Sequence, residues 1–233
     1  MKLTAPKQAL RRFLDAVLAA AGILLLSPVF AALALLTIMT DGRPVLFSQM
    51  RVGLRGRPFR LWKFRTMRTG APGSAITAAG DSRVTRAGAW LRRFKLDELP
   101  QLFNVLRGDM SLVGPRPEVP EYVNAESPMW RAVLQVRPGI TDLATLVYRN
   151  EEALLGASDN AEVFYRESVL PAKLLLNLEY LCRRSFRHDV KLIWLTIRYS
   201  LSPERFDADR IRKAFGTENE YGQLYSLSPT VDR

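Results

Sequence analysis

From Ala16 to Met39 the chain carries 24 consecutive uncharged, mostly apolar residues. A helix needs roughly 20 to cross a bilayer, so the run is long enough. Ser27-Pro28 falls in its middle, where Pro28 cannot donate to the Leu24 carbonyl and its ring crowds that turn. The Ser27 hydroxyl is placed to satisfy a freed carbonyl, which is how such breaks survive in lipid. Basic residues flank both ends: Lys7, Arg11 and Arg12 before, and Arg43, Arg51, Arg55 and Arg57 after. Positive residues mark the cytoplasmic side, so this bias sets both ends on one face. The pattern predicts a re-entrant membrane helix over residues 1–40, broken at Ser27 and Pro28, with a crossing helix as the alternative. A cleaved signal peptide fits poorly, because apolar residues continue past any cleavage position. Asp15 near the start of the run reads as structural.

After the run the periodicity changes. Pro44 to Met50 reads as a short strand, and Phe59 to Met67 alternates apolar and basic residues, as a half-buried strand does. The glycine-punctuated basic turn between them completes a β-hairpin over 44–67. Its outward face is expected to present Arg60, Lys63 and Arg65. Gly70 to Gly80 has turn composition throughout and reads as a loop, either closing over a substrate or idle. Asp81 is expected to cap a helix whose stripe is Val84, Ala87, Trp90, Leu91 and Phe94, carrying Arg92 and Arg93 toward positions 97 and 98.

Leu99, Leu102, Phe103 and Leu106 form the next helical stripe, with Pro100 tolerable only in a first turn and Gly108 suited to the left-handed position at the end. A helix through Trp130 to Val136 and then the Arg137-Pro-Gly-Ile-Thr segment come next. From Ser168 the chain turns helical again. Residues 171–184 and 189–199 mix apolar faces with Trp, Tyr, Lys and Arg margins, suiting helices that lie in a membrane interface; packing on a core is the alternative. The expected architecture is α+β, mostly helical: a membrane helix at 1–40, a domain at 41–202 carrying the hairpin and interfacial amphipathic helices, and a charged tail at 203–233, helical or disordered.

Charge narrows the partners. The formal net charge of +11 requires a negatively charged one: nucleic acid, an anionic membrane or a phosphorylated substrate. A single cysteine, Cys182, excludes an internal disulfide and any multi-cysteine zinc site, and the single histidine, His188, between Arg187 and Asp189 near a helix start, reads as a capping or surface residue rather than a catalytic one. Chemistry falls to carboxylates, with arginine and lysine holding phosphates and any divalent metal a hard one such as magnesium.

Asp97 and Glu98 stand at or just before the start of the 99–107 helix. Alone they are ordinary helix-start acids. Their company differs: Arg92, Arg93 and Lys95 lie before them, and Pro115-Arg116-Pro117 follows a glycine. An ionised carboxylate beside clustered cations suits attack on a phosphate that those cations hold.

The stretch Leu-Asp-Glu-Leu-Pro-Gln-Leu-Phe-Asn-Val-Leu-Arg-Gly-Asp-Met-Ser-Leu-Val-Gly-Pro-Arg-Pro, residues 96–117, resembles the signature of the bacterial sugar transferases, the monotopic phosphoglycosyl transferases. The likeness extends over about Arg11 to Ser200 and takes in Lys-Phe-Arg-Thr-Met at 63–67. It implies a membrane enzyme on the cytoplasmic face that transfers a sugar phosphate from a UDP-sugar to a polyprenyl (undecaprenyl) phosphate, releasing UMP, in exopolysaccharide or glycoconjugate assembly. The partners it implies are the UDP-sugar, undecaprenyl phosphate and an anionic membrane, with no nucleic acid. Asp97 would be the nucleophile, Glu98 its helper, and both would meet Mg2+. Lys63, Arg65, Arg92 and Arg116 would lie near the phosphates. Asp109 would be a further ligand or a cap. Arg137 and Thr141 would contact the nucleotide-sugar end or serve only as turn residues. After Thr141 the sequence departs from the common Gly-Trp-Ala-Gln, reading Asp142-Leu-Ala-Thr-Leu-Val-Tyr-Arg-Asn, so the sugar stays open. Two rivals remain: a membrane-tethered basic adaptor, and an inactive family member serving polysaccharide assembly.

Overall fold

A computed structural model of the chain describes residues 5–70 and 76–217. Part of the 70–80 loop and residues 218–233 of the tail lie outside the described residues. The apolar run forms two helices, α1 (Ala5–Leu25) and α2 (Ser27–Asp41), bent by 61° at Leu26. No single helix among the described residues is long and apolar enough to cross a membrane, but the bent pair together has the length and composition. Pro28 sits in the first turn of α2, where its missing N–H leaves no helical bond unmade. The Ser27 hydroxyl donates to the Leu24 carbonyl at 2.8 Å, so the break carries its own repair. The two helices also bury residues against the domain, Ala19 of α1 and Leu33 of α2, so 1–40 is not a detached anchor.

The hairpin pairs β1 (Leu46–Val52) with β2 (Pro58–Phe64), antiparallel, with Leu46 opposite Phe64 and Val52 opposite Pro58. Its basic residues do not share one outward face. Arg60 is exposed, Lys63 is half-buried and Arg65 is buried. Two-residue alternation puts Arg60 out of phase with the other two, and Arg65 stands just past the strand end. There its guanidinium donates to the carbonyls of Asp41 and Gly42, at 2.6 and 2.7 Å, and of Arg43 at 3.1 Å. It closes the C-terminal end of α2, where helix carbonyls lack partners.

Helix α3 (Arg86–Arg93) starts later than expected. Thr85, not Asp81, is its cap, with the hydroxyl accepting from Gly88 N at 2.9 Å; Asp81 instead binds the Arg83 guanidinium. Gly88 lies against the hairpin's exit, where a Cβ would stand 2.1 Å from the Thr66 carbonyl oxygen. Helix α4 (Gln101–Arg107) also turns a different face inward than its leucine stripe predicts. Its buried residues are Gln101, Asn104 and Val105, while Phe103 and Leu106 are largely exposed. The reason is that α4 is wedged between two neighbours. Its stripe meets the bent pair, with Phe103 edge-on to Phe30, and its polar face meets the free edge of β2. There the Asn104 side chain accepts from Trp62 N at 3.1 Å and donates to the Arg60 carbonyl at 2.7 Å, standing in for a third strand.

Two three-residue strands, β3 (Ser111–Val113) and β4 (Gly139–Thr141), pair in parallel, a contact too short for any periodicity to announce. Gly114 and Gly139 make it possible: a Cβ on Gly139 would lie 2.1 Å from the Gly114 nitrogen. The main core lies beyond this pair. It gathers α5 (Pro128–Val133), α6 (Leu143–Val147), α7 (Glu151–Gly156), α9 (Leu170–Arg183), α10 (Phe186–Leu201) and α11 (Ala208–Phe215). Helix α8 (Ala161–Phe164) runs through a π turn at Tyr165–Val169 into α9. Of the two helices expected at an interface, α9 is a core helix, burying Leu170, Ala172, Leu174 and Tyr180. Helix α10 keeps an exposed apolar row of Phe186, Val190, Trp194, Ile197 and Leu201. The core also continues past residue 202, because α11 inserts Ile211 and Phe215 into it.

Replacing Asn104 by alanine leaves the Trp62 N–H and the Arg60 carbonyl unpaired in a dry contact. The expected cost is about 2–4 kcal/mol, read as a drop of roughly 5–10 °C in the apparent melting temperature of the detergent-solubilised chain.

Candidate active site

Asp97 and Glu98 do not lie in α4 itself. They form a preceding 3-10 turn, Leu96–Glu98, entered through Lys95 in the left-handed conformation (φ 57°) and continued by Pro100 directly before α4. Both acids are nearly sealed, Asp97 at 5% exposure and Glu98 at 7%. They form part of the wall of an open cavity of about 1080 Å³ whose lining holds twelve arginines and lysines against six carboxylates. A cavity so charged concentrates anions.

Glu98 is the anchor of the cluster. Arg116 grips it with both terminal nitrogens, Nη2 at 2.6 Å from Oε1 and Nη1 at 3.1 Å from Oε2, and Lys63 Nζ stands 3.3 Å from Oε1. Burial alone would raise the Glu98 pKa, but Arg116, Lys63 and Lys95 outweigh it and hold the carboxyl well below its ordinary value. Arg116 is held above its ordinary value by the same pair, against the effect of burial. Burial lowers the Lys63 ammonium despite Glu98. Arg116 reaches this position because Gly114 abuts β4 and two prolines fix the backbone on either side, aiming the side chain back at the acid turn.

Asp97 contrasts with its neighbour. Its Oδ1 is buried and has no hydrogen-bond partner among the described residues. No group of three or more His, Cys, Asp or Glu side chains among the described residues is arranged to hold a metal by itself. Oε1 of Glu98 accepts from Arg116 and Lys63 while Oε2 accepts from Arg116 alone, so Glu98 meets a metal through Oε2 or by releasing a cation. Asp97 is free to share a hard cation whose other ligands are water and substrate phosphates, the usual manner of magnesium.

The other expected residues divide. Arg92 lines the cavity, tied by Nη2 to Glu152 of α7 at 2.9 Å. Arg65 borders the cavity while its guanidinium serves α2. Arg137 and Thr141 are not in the lining: Arg137 Nε donates to the Gly108 carbonyl at 3.1 Å, and the Thr141 hydroxyl pairs with that of Thr196 at 2.6 Å. Asp109 also lies outside it, accepting from the Asn104 side-chain amide at 3.3 Å.

Sequence reading missed the far wall. Glu118 accepts from the Tyr165 hydroxyl at 2.6 Å and meets Arg51, while Lys173, 7% exposed, binds Glu151 at 2.7 Å. Burial, with Glu118 adding to it, raises the Tyr165 phenol far above its ordinary value. Burial would lower Lys173, but Glu151 and Glu118 raise it. Arg149 stands on the same wall, donating to the Arg93 carbonyl at 2.9 Å. These residues are scattered over 123 positions, from Arg51 to Lys173, and carry no local spacing that would mark them.

A family model described as bacterial sugar transferase matches residues 6–203. The chain is 39% identical over 192 residues to the UDP-glucose:undecaprenyl-phosphate glucose-1-phosphate transferase of Caulobacter vibrioides, covering 80% of this chain and 68% of that protein. It is 36% identical over 204 residues to the protein of the same name from Escherichia coli, covering 84% of this chain and 41% of that one. It is 43% identical over 144 residues to the UDP-N-acetylgalactosamine-undecaprenyl-phosphate N-acetylgalactosaminephosphotransferase of Aeromonas hydrophila, covering 60% and 34%. The chain thus spans about two thirds of the first relative and less than half of the other two. With nearly its whole described length matched and a sealed acid pair among cations at its centre, this chain belongs to the bacterial sugar transferase family.

Proposed function

We propose that the chain transfers a sugar phosphate from a UDP-sugar to undecaprenyl phosphate and releases UMP, through a covalent intermediate on Asp97. The observation that carries this reading is the division of labour in the dyad: Glu98 is locked by Arg116 and Lys63, and Asp97 Oδ1 has no partner among the described residues. An oxygen of the Asp97 carboxylate forms a bond to the sugar-side phosphorus, and the bond from that phosphorus to the bridging oxygen breaks, its electron pair leaving with UMP. An oxygen of the lipid phosphate then bonds to the same phosphorus and displaces Asp97, which regains its carboxylate. The product is a polyprenyl diphosphate sugar.

A carboxylate is a weak nucleophile in water, so positioning and a neutralised target must supply the rate. The cations of the cavity wall neutralise the diphosphate, and burial strengthens each contact. Asp97, together with the substrate phosphates, would hold magnesium, which would supply further neutralisation. Glu98 keeps Arg116 and Lys63 aimed into the cavity, where their remaining donors reach phosphate oxygens.

The acceptor explains the rest of the surface. The bent pair exposes Leu24 and Leu25 at 78% and 80%, and α10 adds its apolar row, with Arg198 stacked over Trp194. Exposed apolar area of this extent needs an apolar partner. We read it as the seat on the cytoplasmic leaflet, with α1 and α2 dipping in and returning, so that a lipid-borne phosphate meets Asp97 without leaving the membrane.

Asp97→Asn is expected to abolish UMP release from UDP-sugars in membranes, and chelating magnesium to stop the wild-type reaction; with the lipid acceptor withheld, wild-type protein should gain the mass of one phosphosugar at Asp97. Near-normal turnover by the variant refutes the nucleophile. Arg116→Lys keeps the charge and loses the two-pronged grip, so kcat/KM should fall by about 10–100-fold. A tag at either terminus should be reachable only from the cytoplasm, and external labelling of the N-terminus excludes the dip.

A further inference from the structure

Two buried polar groups four residues apart, one of them in this site, have no hydrogen-bond partner among the described residues. Asp97 Oδ1 is one. The other is the amide of Gln101, 1% exposed, with both Oε1 and Nε2 sealed and unpaired. An unpaired buried amide is costly, and the same face of α4 shows that it is avoidable, because the Asn104 amide is used by β2 and Asp109. The chain from Asp97 to Gln101 is helical throughout: a 3-10 turn, then Leu99 and Pro100 in right-handed helical conformation, then the first residue of α4. The backbone bonds along it, Leu99 N to the Leu96 carbonyl, Leu102 N to that of Leu99 and Phe103 N to that of Pro100, each span three residues. Gln101 therefore stands a little over one 3-10 turn beyond Asp97, roughly 8 Å along the axis, a gap that an aspartate and a glutamine side chain span together. Asp97 also lines the cavity, so with Oδ1 sealed its Oδ2 is the oxygen the cavity reaches.

We propose that Gln101 is a positioning residue for the nucleophile: its Nε2–H donates to Asp97 Oδ1 during the reaction and leaves Oδ2 to attack phosphorus. This rests on the reading of Asp97 as nucleophile. When Oδ2 bonds to phosphorus, Oδ1 becomes the carbonyl oxygen of an acyl phosphate, and a single N–H fixes the plane of that group. When the lipid phosphate displaces the aspartate, the negative charge returns to both oxygens and the same N–H stabilises the leaving carboxylate. A neutral donor suits the task. A lysine or arginine at this position would bind the ionised carboxylate in the resting enzyme and blunt its attack, whereas an amide orients it and leaves its charge in place. The cations are accordingly spent on Glu98.

The test uses the full chain in detergent, with a UDP-sugar that the wild type accepts, undecaprenyl phosphate and magnesium. Gln101→Met keeps the shape and removes the donor. Its kcat should fall by about 10–100-fold with KM for the UDP-sugar within about twofold and the melting temperature unchanged or raised. A wild-type kcat overturns the proposal, and so does a fall in kcat matched by a lower melting temperature. Wild-type turnover without any phosphosugar adduct on Asp97 would instead overturn the nucleophile on which the assignment rests.

Discussion

Glu98 held in the fork of Arg116 is the contact on which the site depends. It joins three parts of the chain that have no local reason to meet: the acid turn, the proline-fixed loop after β3 and, through Lys63, the hairpin. A buried ion pair gains little net stability, since removing two charges from water offsets most of their attraction. What this one supplies is geometry. Because Glu98 absorbs the nearest cations, Asp97 beside it keeps an unclaimed oxygen, and the cations remain aimed into the cavity. Two adjacent carboxylates therefore differ in chemistry through their surroundings alone.

Helix α4 ties that site to the apolar end of the molecule. At its far end, Arg12 of α1 donates to the Leu106 carbonyl at 2.7 Å, and Arg137 donates to the Gly108 carbonyl. Asp15 of α1 accepts from the Ser111 hydroxyl at 2.7 Å and from Leu112 N, holding β3. The bent pair is thus bolted through polar contacts to the helix that continues the acid turn and to the strand that leads into Arg116. Any seating of α1 and α2 on a lipid surface fixes the depth and tilt of the acid pair as well.

Much of this is legible residue by residue. The break at Ser27-Pro28, the hairpin, the left-handed Gly108 and the start of the acid turn follow from local rules that need no partner. The errors have a common cause. Arg65, Arg137 and Arg60 look alike in sequence, yet Arg65 closes α2, Arg137 closes α4 and Arg60 faces solvent. The leucine stripe of α4 looks like a core face, but the helix has two neighbours and presents its amides to a strand edge. Helix α9 has the composition of an interfacial helix and is buried because other helices surround it. Charge sets the tail apart in sequence, yet Ile211 and Phe215 suffice to draw α11 into the core.

The sequence by itself determined where helices break and turn and to which family the chain belongs, because these rest on backbone preference and on a contiguous motif. Only the tertiary structure decided which cation serves which acid. An arginine's role is set by the nearest carbonyl or carboxylate within its reach, and that neighbour comes from a distant part of the chain. Arg116 serves Glu98 and Lys173 serves Glu151, while Asp97 Oδ1 and the Gln101 amide are left without a partner among the described residues.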